Sequence, residues 1–478
     1  MSIFRSSRLK KDIDPEAAEY ISSLPFDYEI LNATVWVNAV HLRILYEKQL
    51  ISREDFSKSL EVLREIVKNP PREIDPKLED IHVYIEQALA SSSEYAAGML
   101  SYGKSRNDAV ATAIRLRARE YLLETTLVEL DLIKTLLDKA SEHSSTLFPI
   151  YTHLQRAVPA TFGFLLHSYA SRILRNLSNV INIYSKVNLS PLGAGAAAGS
   201  STDIDRLREA QLLGFEDILE NALDATTSRD YVITILAHLL NSALAYSCFA
   251  EELVLYSSEE FDLLEIPDEY SSTSSIMPQK KNPVVAEIVR TKAAEILGEI
   301  VKAASMILRQ PSGYNLDYQQ VTPTLWKSFR EVKDTARILS RMIEKIQVNR
   351  DKAINMCRGV ILLTEVGNRL LQETGITFRK AHQICGEISI LINSGSLNEE
   401  SFKEIVERHN VKNIDYQRFI SWLDPYIIIT SYKTLGSSNP REVMKMIEVD
   451  VRRAEALREW CRDTLERLDK LFQSSITF

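Results

Sequence analysis

The stretch SSIMPQKKNP, residues 274–283, gathers serine, lysine and asparagine side chains and almost nothing that could enter a core. Hydroxyl, ammonium and amide groups are groups that proteins use to move protons and to bind anions. Pro278 removes a backbone donor and Pro283 biases the residue before it away from helix, so we predict a loop that ends at a helix start. Polar loops on a rigid scaffold often carry function, although a solvated surface linker would have a similar composition.

Five other polar stretches interrupt a sequence that otherwise has a helical pattern. They are Asp80 and His82 with Glu86 following, GKSRND (103–108), YTHLQRA (151–157), DATTSRD (224–230) and GYNLDYQQ (313–320). Taken singly, each has a structural alternative, because Asp80 or the SRND residues could cap a helix and His153 could be a structural histidine. His82 and Glu86 have i, i+4 spacing but lack a third metal ligand, so no metal site is predicted. The sequence has no glycine-rich phosphate loop, so nucleotide binding is not predicted either.

The elements that must position these residues are long helices. Residues 105–148 contain no Gly or Pro, and leucines recur every seven residues at 116, 123, 130 and 137, which predicts one long amphipathic helix. Similar tracts cover 164–187, 229–256, 284–309 and 324–350. We therefore predict an all-α fold in which five long helices form a central bundle domain (105–350), between smaller helical domains at 1–104 and 351–478. In the last of these, glycines at 359, 367, 375 and 386 predict that the helices are shorter.

Composition narrows the class of protein further. The chain has 478 residues and a formal net charge of −8, which argues against general nucleic-acid binding because phosphate contacts need clustered Lys and Arg. The four cysteines show no CxxC spacing and are expected to be buried free thiols in a reducing compartment. The N-terminus lacks the apolar stretch of a signal peptide, and no apolar run is long enough to span a membrane. We therefore expect a cytoplasmic protein without a membrane partner.

The predicted central helix also bears on assembly. A helix of about 40 residues spans about 60 Å, which is longer than one compact domain of this mass needs. The sequence shows no internal repeat of the length that solenoid proteins use, so a monomeric solenoid is the weaker alternative. Long helices of this kind pack against helices of other subunits. We therefore expect a homo-oligomer with a multi-helix core.

The loop and the polar stretches together resemble one superfamily, the aspartase/fumarase lyases. The Ser-Ser-x-Met-Pro-x-Lys-x-Asn signature of that superfamily is matched by Ser274, Ser275, Met277, Pro278, Lys280 and Asn282. Within the superfamily, the chain resembles the argininosuccinate lyases and their delta-crystallin relatives. The stretches that carry this resemblance are SRND at 105–108, YTHLQRA, SPLGAGAAAG at 190–199, DATTSRD and MPQKKNP. The resemblance runs from about Ser23 to about Gln319 and fades in the last third of the chain.

The resemblance implies a lyase that splits argininosuccinate into arginine and fumarate without a cofactor. The proton to be removed lies next to a carboxylate and is weakly acidic, so the reaction needs a positioned base and fixed cations for the charge that develops. By position in the motifs, Ser274 resembles the base, and Lys280 and Asn282 resemble the groups that bind the carboxylate of the fumarate half. His153 resembles the second catalytic residue, and Glu287 resembles the carboxylate that orients it.

The resemblance also implies a substrate pocket and an assembly. An arginine fork suits carboxylate recognition, which the succinate half of the substrate requires. The superfamily forms homotetramers whose pockets draw different motifs from different subunits, and the same is expected here, with arginine biosynthesis as the setting. Besides Asn282, the implied substrate-binding residues are Ser23, Asp80, Arg106, Asn107, Thr152, Tyr314 and Gln319.

Three places depart from the family pattern. Residues 101–104 are Ser-Tyr-Gly-Lys where the family has His-Thr-Gly-Arg, and Thr273 stands in place of the loop's glycine. Thr322 stands where the family often has a lysine, so we expect Lys327 or Arg330 to supply that charge. Two other functions stay open, namely another lyase of the superfamily such as adenylosuccinate lyase, and a non-catalytic structural relative of the lens-crystallin kind.

Overall fold

The computed structural model describes residues 11–477. The first ten residues, which belong to the predicted 1–104 domain and to the stretch considered as a signal peptide, lie outside the described part, as does Phe478. Helices dominate the rest, which confirms the all-α class. The N-terminal segment contains α1 (Pro15–Ile21), α2 (Leu24–Asp27), α3 (Leu31–Glu47), α4 (Arg53–Lys68), α5 (Ile81–Ala90) and α6 (Glu94–Met99).

The central segment carries four of the long helices. It contains α7 (Arg106–Glu142), α8 (Phe162–Leu177), α9 (Val180–Val187), α10 (Arg206–Leu212), α11 (Ala222–Thr227), α12 (Asp230–Tyr256), α13 (Val284–Ile307), α14 (Asp317–Gln320) and α15 (Thr322–Lys345). The C-terminal segment contains α16 (Arg350–Met356), α17 (Leu363–Thr374), α18 (Phe378–Ser394), α19 (Glu399–Arg408), α20 (Tyr416–Ile420), α21 (Pro425–Ser431) and α22 (Pro440–Ile476).

Short strands pair two by two between these helices. The antiparallel pairs are β1 (Leu147–Thr152) with β2 (Gln155–Thr161), β5 (Leu264–Glu265) with β8 (Gln347–Val348), and β6 (Ser272–Thr273) with β7 (Lys281–Asn282). The parallel pair is β3 (Leu189–Ser190) with β4 (Asp217–Ile218).

Helix α7 is the long helix predicted from 105–148, but it is shorter at its end. Ser105 begins it with a capping box, in which its hydroxyl accepts from the helix backbone and the Asp108 carboxylate accepts from the Ser105 N–H. The helix ends at Glu142, and residues 147–161 form the β1–β2 hairpin, which the helical pattern did not predict. Pro149 and Pro159 face each other in that hairpin, and neither could continue a helix.

Two other expectations about the helices are wrong. The tract 164–187 is two helices, α8 and α9, because Ser178 and Asn179 favour a turn between them. The expectation that 351–478 holds only shorter helices fails at α22, which has 37 residues and packs against α7 and α8. Apolar residues within 363–422 form a second core that is separate from the main core. Buried residues of α22 belong to the main core. The domain boundaries near 104 and 350 stay predictions.

Three of the long helices, α7, α12 and α15, run parallel to one another. Residues further along α7 contact residues further along α12 and α15. Helix α13 runs the opposite way, since Lys292 and Lys327 pair with Glu331 and Glu299 at 2.8 and 2.9 Å. The contacts that fix the parallel directions are, in order along α7, Arg115 with Ser228, Tyr121 with Phe329, Glu129 with Tyr246 and Thr135 with Ser340.

The bundle therefore has two chemically distinct ends. We call the end at which α7, α12 and α15 begin the Arg106 end. The opposite end, at which these three helices finish and α13 begins, is called the Ser274 end. The β1–β2 hairpin lies at the Ser274 end, because Tyr151 packs its ring against Tyr256, the last residue of α12. The 27 residues of α12 span about 40 Å, so the two ends lie about that far apart.

Helix α12 is long and apolar enough to cross a membrane, judged by length and composition alone. Most of its apolar stretch is buried within the protein, against α8, α13 and α15. Among residues 11–477 no other helix has such a composition. Its burial is that of a core helix. Cys248 on this helix is exposed, whereas Cys357, Cys385 and Cys461 are buried, so the expectation of four buried thiols is wrong for Cys248.

Candidate active site

The predicted substrate-binding residues at the Arg106 end include one hydrogen-bonded chain. The Tyr314 hydroxyl donates to Gln319 Oε1 at 2.8 Å, and Gln319 Nε2 donates to Ser23 Oγ at 2.9 Å. Ser23 in turn donates to Oδ2 of Asp27 at 2.7 Å. Ser23, Gln319 and Asp27 are buried and Tyr314 is half-buried, so packing holds these polar groups in defined positions.

Asp27 is a member of this group that sequence reasoning missed. Its carboxylate also accepts from the Ile81 backbone N–H at 3.3 Å, and only 4% of the residue is exposed. Burial raises the pKa of Asp27 from 3.8 to about 7, and the hydrogen bond from Ser23 partly offsets that rise. The signal that could have found it is a carboxylate four residues after Ser23, a spacing that brings two side chains together on a helical turn.

The raised pKa of Asp27 predicts a pH-dependent stability. Unfolding exposes the carboxyl group, which then ionises with its ordinary pKa of 3.8, so unfolding releases a proton between that pH and about pH 7. The contribution of Asp27 to the free energy of unfolding is therefore fully present below about pH 4 and is lost as the pH rises to about 7. We expect Asp27→Asn to show a smaller fall over that range, measured by chemical denaturation at one protein concentration. A pH profile identical to that of the unsubstituted protein would contradict this.

Arg106, the first residue of α7, lies among carboxylates. Its Nη1 is 3.3 Å from Glu79 Oε2 and 3.3 Å from Asp80 Oδ2. Asp80 also caps α5 by accepting from the Val83 N–H at 2.9 Å, which is the structural role considered for it above. Burial raises the pKa of Asp80 and the charge of Arg106 partly offsets the rise. Together with Asp27, these carboxylates could accept hydrogen bonds from a guanidinium group.

Asn107 is held by the SPLGAGAAAG stretch. Its Nδ2 donates to the Ala196 carbonyl at 3.0 Å. The neighbouring Asp108 is fully buried and accepts from the Gly195 N–H at 2.8 Å. Two of the sequence stretches that carry the family resemblance therefore pack directly on each other at the start of α7.

At the Ser274 end, the SSIMPQKKNP loop forms a small hairpin. Ser272 pairs with Asn282 across β6 and β7, which brings the two sides of the loop together. Ser274 is half-buried, and its Oγ accepts from the Met277 backbone N–H at 3.1 Å and from the Ile276 N–H at 3.4 Å. Backbone donors aimed at a serine oxygen stabilise negative charge there, which is what a serine that acts as a base requires.

Two lysines of this loop differ in their surroundings. Lys281 is held by Glu265 and by Asp268, whose Oδ1 is 2.7 Å from its Nζ. Lys280 is exposed, and its ammonium group has no ion pair with any residue in the described range 11–477. Glu287 lies in the first turn of α13, directly after the loop. Lys280, which the motif assigns to substrate binding, is thus the lysine whose ammonium group is available to bind a substrate carboxylate.

His153 occupies a strained turn at the same end. The β1–β2 register pairs Thr152 with Gln155, so His153 and Leu154 form a two-residue connection. Both have left-handed backbone, with φ of 53° and 57°, which suits a tight hairpin but costs residues with a side chain about 1 kcal/mol or more each. Leu154 is 69% exposed, so packing of its side chain does not explain the strained backbone at this position. The turn presents the His153 imidazole to solvent.

One chain does not bring the whole predicted site together. Ser23, Asp80, Arg106, Asn107, Tyr314 and Gln319 lie at the Arg106 end, whereas Thr152, His153, Ser274, Lys280, Asn282 and Glu287 lie at the Ser274 end. Within residues 11–477 of one chain, Glu287 makes no hydrogen bond or ion pair with His153, so that predicted pairing stays a prediction. No group of three or more His, Cys, Asp or Glu in this range is placed to hold a metal ion.

Comparison with known proteins bears on this divided set of motif residues. A family model described as lyase matches residues 7–298. Over its full length the chain is 37% identical to argininosuccinate lyase of Methanocaldococcus jannaschii, with 100% of both chains covered. It is 38% identical to the argininosuccinate lyase of Methanosarcina mazei, over 92% of this chain and 91% of that one. The chain belongs to the argininosuccinate lyase family. The similarity to these relatives extends past Gln319, beyond the last of the sequence motifs that carry the family resemblance.

Solved structures of the superfamily have the same fold. EDDS lyase in complex with formate matches with a TM-score of 0.86 at 22% identity, covering 97% of this chain and 94% of that one. Class II fumarase from Schistosoma mansoni matches with a TM-score of 0.72 at 18% identity, covering 87% of this chain and 92% of that one. At these identities the likeness concerns the fold alone, and it confirms the predicted long-helix architecture.

The cations expected to replace the family lysine at Thr322 have other partners. Lys327 Nζ is 2.9 Å from Glu299 Oε1 on α13, and Arg330 Nη1 is 2.7 Å from Glu29 Oε1. Thr322 itself is buried. Both cations thus bridge elements of the fold, and the expectation that either serves the substrate gains no support from their contacts.

Proposed function

We propose that this protein cleaves argininosuccinate to arginine and fumarate, as a cytoplasmic enzyme of arginine biosynthesis. The observation that carries the proposal is the full-length similarity to curated relatives named argininosuccinate lyase. The geometry of the Ser274 loop adds support, because Ser274 accepts backbone hydrogen bonds and Lys280 stays without an ion pair among residues 11–477.

The elimination consists of two proton transfers, and the residues assigned to both of them lie at the Ser274 end of the chain. Ser274, as an alkoxide stabilised by backbone N–H groups and by Lys280, removes the proton from the carbon next to a succinate carboxylate. The extra negative charge on that carboxylate is shared with Lys280 and Asn282. The carbon–nitrogen bond then breaks, its electron pair stays on nitrogen, and His153 supplies the proton to the leaving guanidino group.

The carboxylates at the Arg106 end bind the departing half in this scheme. Asp80 lies 3.3 Å from Arg106, and Asp27 is held by Ser23 and by the Ile81 N–H. The carboxyl groups of both can accept hydrogen bonds from a guanidinium group. Tyr314, Gln319 and Ser23 form a connected chain that fixes the pocket wall. Arginine is the product that carries such a group, whereas fumarate carries only carboxylates.

We propose further that the protein is a homotetramer whose active sites are shared between subunits. The base and the pocket for the leaving group lie at opposite ends of one chain, about 40 Å apart, and a pocket needs them within contact distance. Antiparallel packing of two chains brings the Arg106 end of one against the Ser274 end of the other. A closed symmetric assembly of this kind completes every pocket.

Helix α13 offers a surface for that packing. Leu297 and Val301 are 51% and 59% exposed, and Ala294, Gly298 and Ala304 flank them on the same exposed stripe. Small residues beside large apolar ones let two helices approach closely and bury the stripe. Charged residues are rare on this stripe, as expected for a face that another chain covers.

The turn that holds His153 allows a separate test. Glycine adopts positive φ without a steric penalty, so Leu154→Gly is expected to keep the free energy of unfolding or raise it by up to about 1 kcal/mol. The looser turn should lower kcat by about threefold or more, because His153 loses its fixed position. Leu435→Gly, at a residue that is 91% exposed, is the matched control and should leave kcat unchanged. Loss of stability with unchanged kcat in Leu154→Gly would contradict the assignment.

A direct assay tests the proposed reaction. Purified protein is mixed with argininosuccinate, fumarate is followed by its ultraviolet absorbance, and arginine is identified by mass spectrometry. Adenylosuccinate serves as the control substrate, since turnover of that compound instead would indicate another lyase of the superfamily. No turnover of either compound by folded protein would favour the non-catalytic structural alternative.

A further inference from the structure

A polar cavity lies between α3, α5 and the loop that leads into α7. Its volume is about 490 Å³, within the range of about 300–1,000 Å³ that small-molecule sites occupy. The residues that matter for its chemistry are Asn38, His82, Glu86, Lys104 and Arg106. Arg106 places the cavity beside the proposed active site, but the other four residues have no part in the proposed reaction.

His82 is the buried group of this cavity that lacks a partner. The residue is 9% exposed, and its Nε2 has no hydrogen bond to any residue of the described range. Burial lowers the pKa of His82 to about 3, so the imidazole is neutral at physiological pH. Leaving a buried polar atom without a partner costs about 1–3 kcal/mol, so a hydrogen-bonding guest would relieve this cost.

Two opposite charges face the same cavity without pairing. Lys104 Nζ donates to Asn38 Oδ1 at 2.6 Å, and no ion pair within the described range involves it. Glu86 is half-buried; burial raises the pKa of its carboxyl group and the charge of Lys104 partly offsets the rise, yet the two side chains do not form an ion pair within residues 11–477. A lysine and a glutamate held apart in this way leave each charge available to a guest.

We propose that this cavity binds a free amino acid. The α-carboxylate of the ligand would pair with Lys104, the α-ammonium group would pair with Glu86, and His82 Nε2 would accept a further hydrogen bond from the ammonium group. A dipolar ligand satisfies both charges at once and adds no net charge to the cavity. Its binding beside Arg106 would connect the proposed active site to the level of free amino acids.

Other ligand classes fit the same groups less well. Among the described residues no group of three or more His, Cys, Asp or Glu is placed to hold a metal ion, and the ammonium group of Lys104 would oppose one in this cavity. A phosphate or dicarboxylate would gain Lys104 and Arg106 but would meet the negative charges of Glu79 and Glu86, which line the same cavity. A purely apolar guest would leave all three groups without partners.

Calorimetric titration of the full-length assembled protein tests the proposal. The probes are L-serine, L-glutamine and L-arginine; the first two are neither substrate nor product of the proposed reaction, so their binding does not depend on it. Each probe is compared with its methyl ester, which lacks the carboxylate, and with its N-acetyl form, which lacks the ammonium group. We expect at least one of serine and glutamine to bind, and each modification to weaken its binding by about tenfold or more.

Substitutions place the binding in this cavity. Glu86→Gln should weaken the amino acid by about tenfold or more, whereas Glu94→Gln, at an exposed glutamate of α6, should leave affinity unchanged. Failure of both serine and glutamine to bind, equal affinity for the methyl esters, or equal affinity in Glu86→Gln would each overturn the proposal. The comparison among ligands uses the unsubstituted protein, so it decides the matter even if Glu86→Gln does not fold.

Discussion

Replacing Ser274 by alanine is expected to lower the turnover of argininosuccinate by at least about a hundredfold, the low end for loss of a positioned base. Ser274 is half-buried in a loop and makes no contact within the apolar core, so the fold and the assembly should stay intact. The backbone N–H groups of Ile276 and Met277 would then have no oxygen to stabilise. Stopped assays for fumarate, with sedimentation to verify the assembly, measure both parts of this expectation.

Ser275 provides the matched control for that substitution. It is the neighbouring serine of the same loop and is exposed, and no hydrogen bond from its side chain to a residue in 11–477 positions it. Ser275→Ala should therefore retain turnover within a few-fold of the unsubstituted enzyme. A large loss in Ser275→Ala with near-normal turnover in Ser274→Ala would transfer the role of the base to Ser275.

The second large effect is the recovery of activity from two inactive variants. Arg106→Met and Ser274→Ala each remove one half of the proposed pocket, and the two residues lie at opposite ends of one chain. If sites are shared, random mixed tetramers contain some pockets that draw Arg106 from one variant and Ser274 from the other. With equal amounts of both chains, about a quarter of the pockets should be intact, so activity should rise from near zero to about a quarter of normal.

Mixing after mild dissociation, followed by reassembly and a fumarate assay, measures this recovery. Each variant dissociated and reassembled alone is the control and should stay inactive. Continued inactivity in mixed tetramers whose composition has been verified by mass spectrometry would show that one chain supplies both residues, and a monomeric protein would exclude shared sites altogether. Variants at Arg106 and Ser274 test site sharing better than variants at His153 and Ser274, because His153 and Ser274 lie at the same end of one chain.

Much of the fold could be predicted because the helical signals are local. The absence of Gly and Pro with apolar residues at helical spacing identified α7, α12, α13 and α15 nearly to their ends. Helix α22 has the same signal after Pro440, but the glycines at 359–386 favoured a prediction of shorter helices for the whole of 351–478. The β1–β2 hairpin was missed because its turn uses His153 and Leu154 in place of the Asn-Gly pair that marks such turns.

Only those residues of the candidate site that lie in sequence motifs could be predicted. Ser274, Arg106 and Gln319 stand in recognisable patterns, whereas Asp27 lies in an ordinary helical turn and gains its chemistry from burial beside Ser23. The division of the site between two ends could not be read from spacing alone. It depends on the directions in which the helices pack, which long-range contacts determine.

The parallel course of α7, α12 and α15 has an electrostatic consequence. Each helix carries a partial positive charge at its N-terminus, worth about half an elementary charge, and all three of these termini meet at the Arg106 end. Helix α13 begins at the opposite end, directly after Asn282, and adds its own positive pole beside the serine loop. In an antiparallel assembly the helix dipoles would thus converge on each pocket. A protein with a net charge of −8 would in this way attract the carboxylates of its substrate through its backbone, and added salt would weaken that attraction.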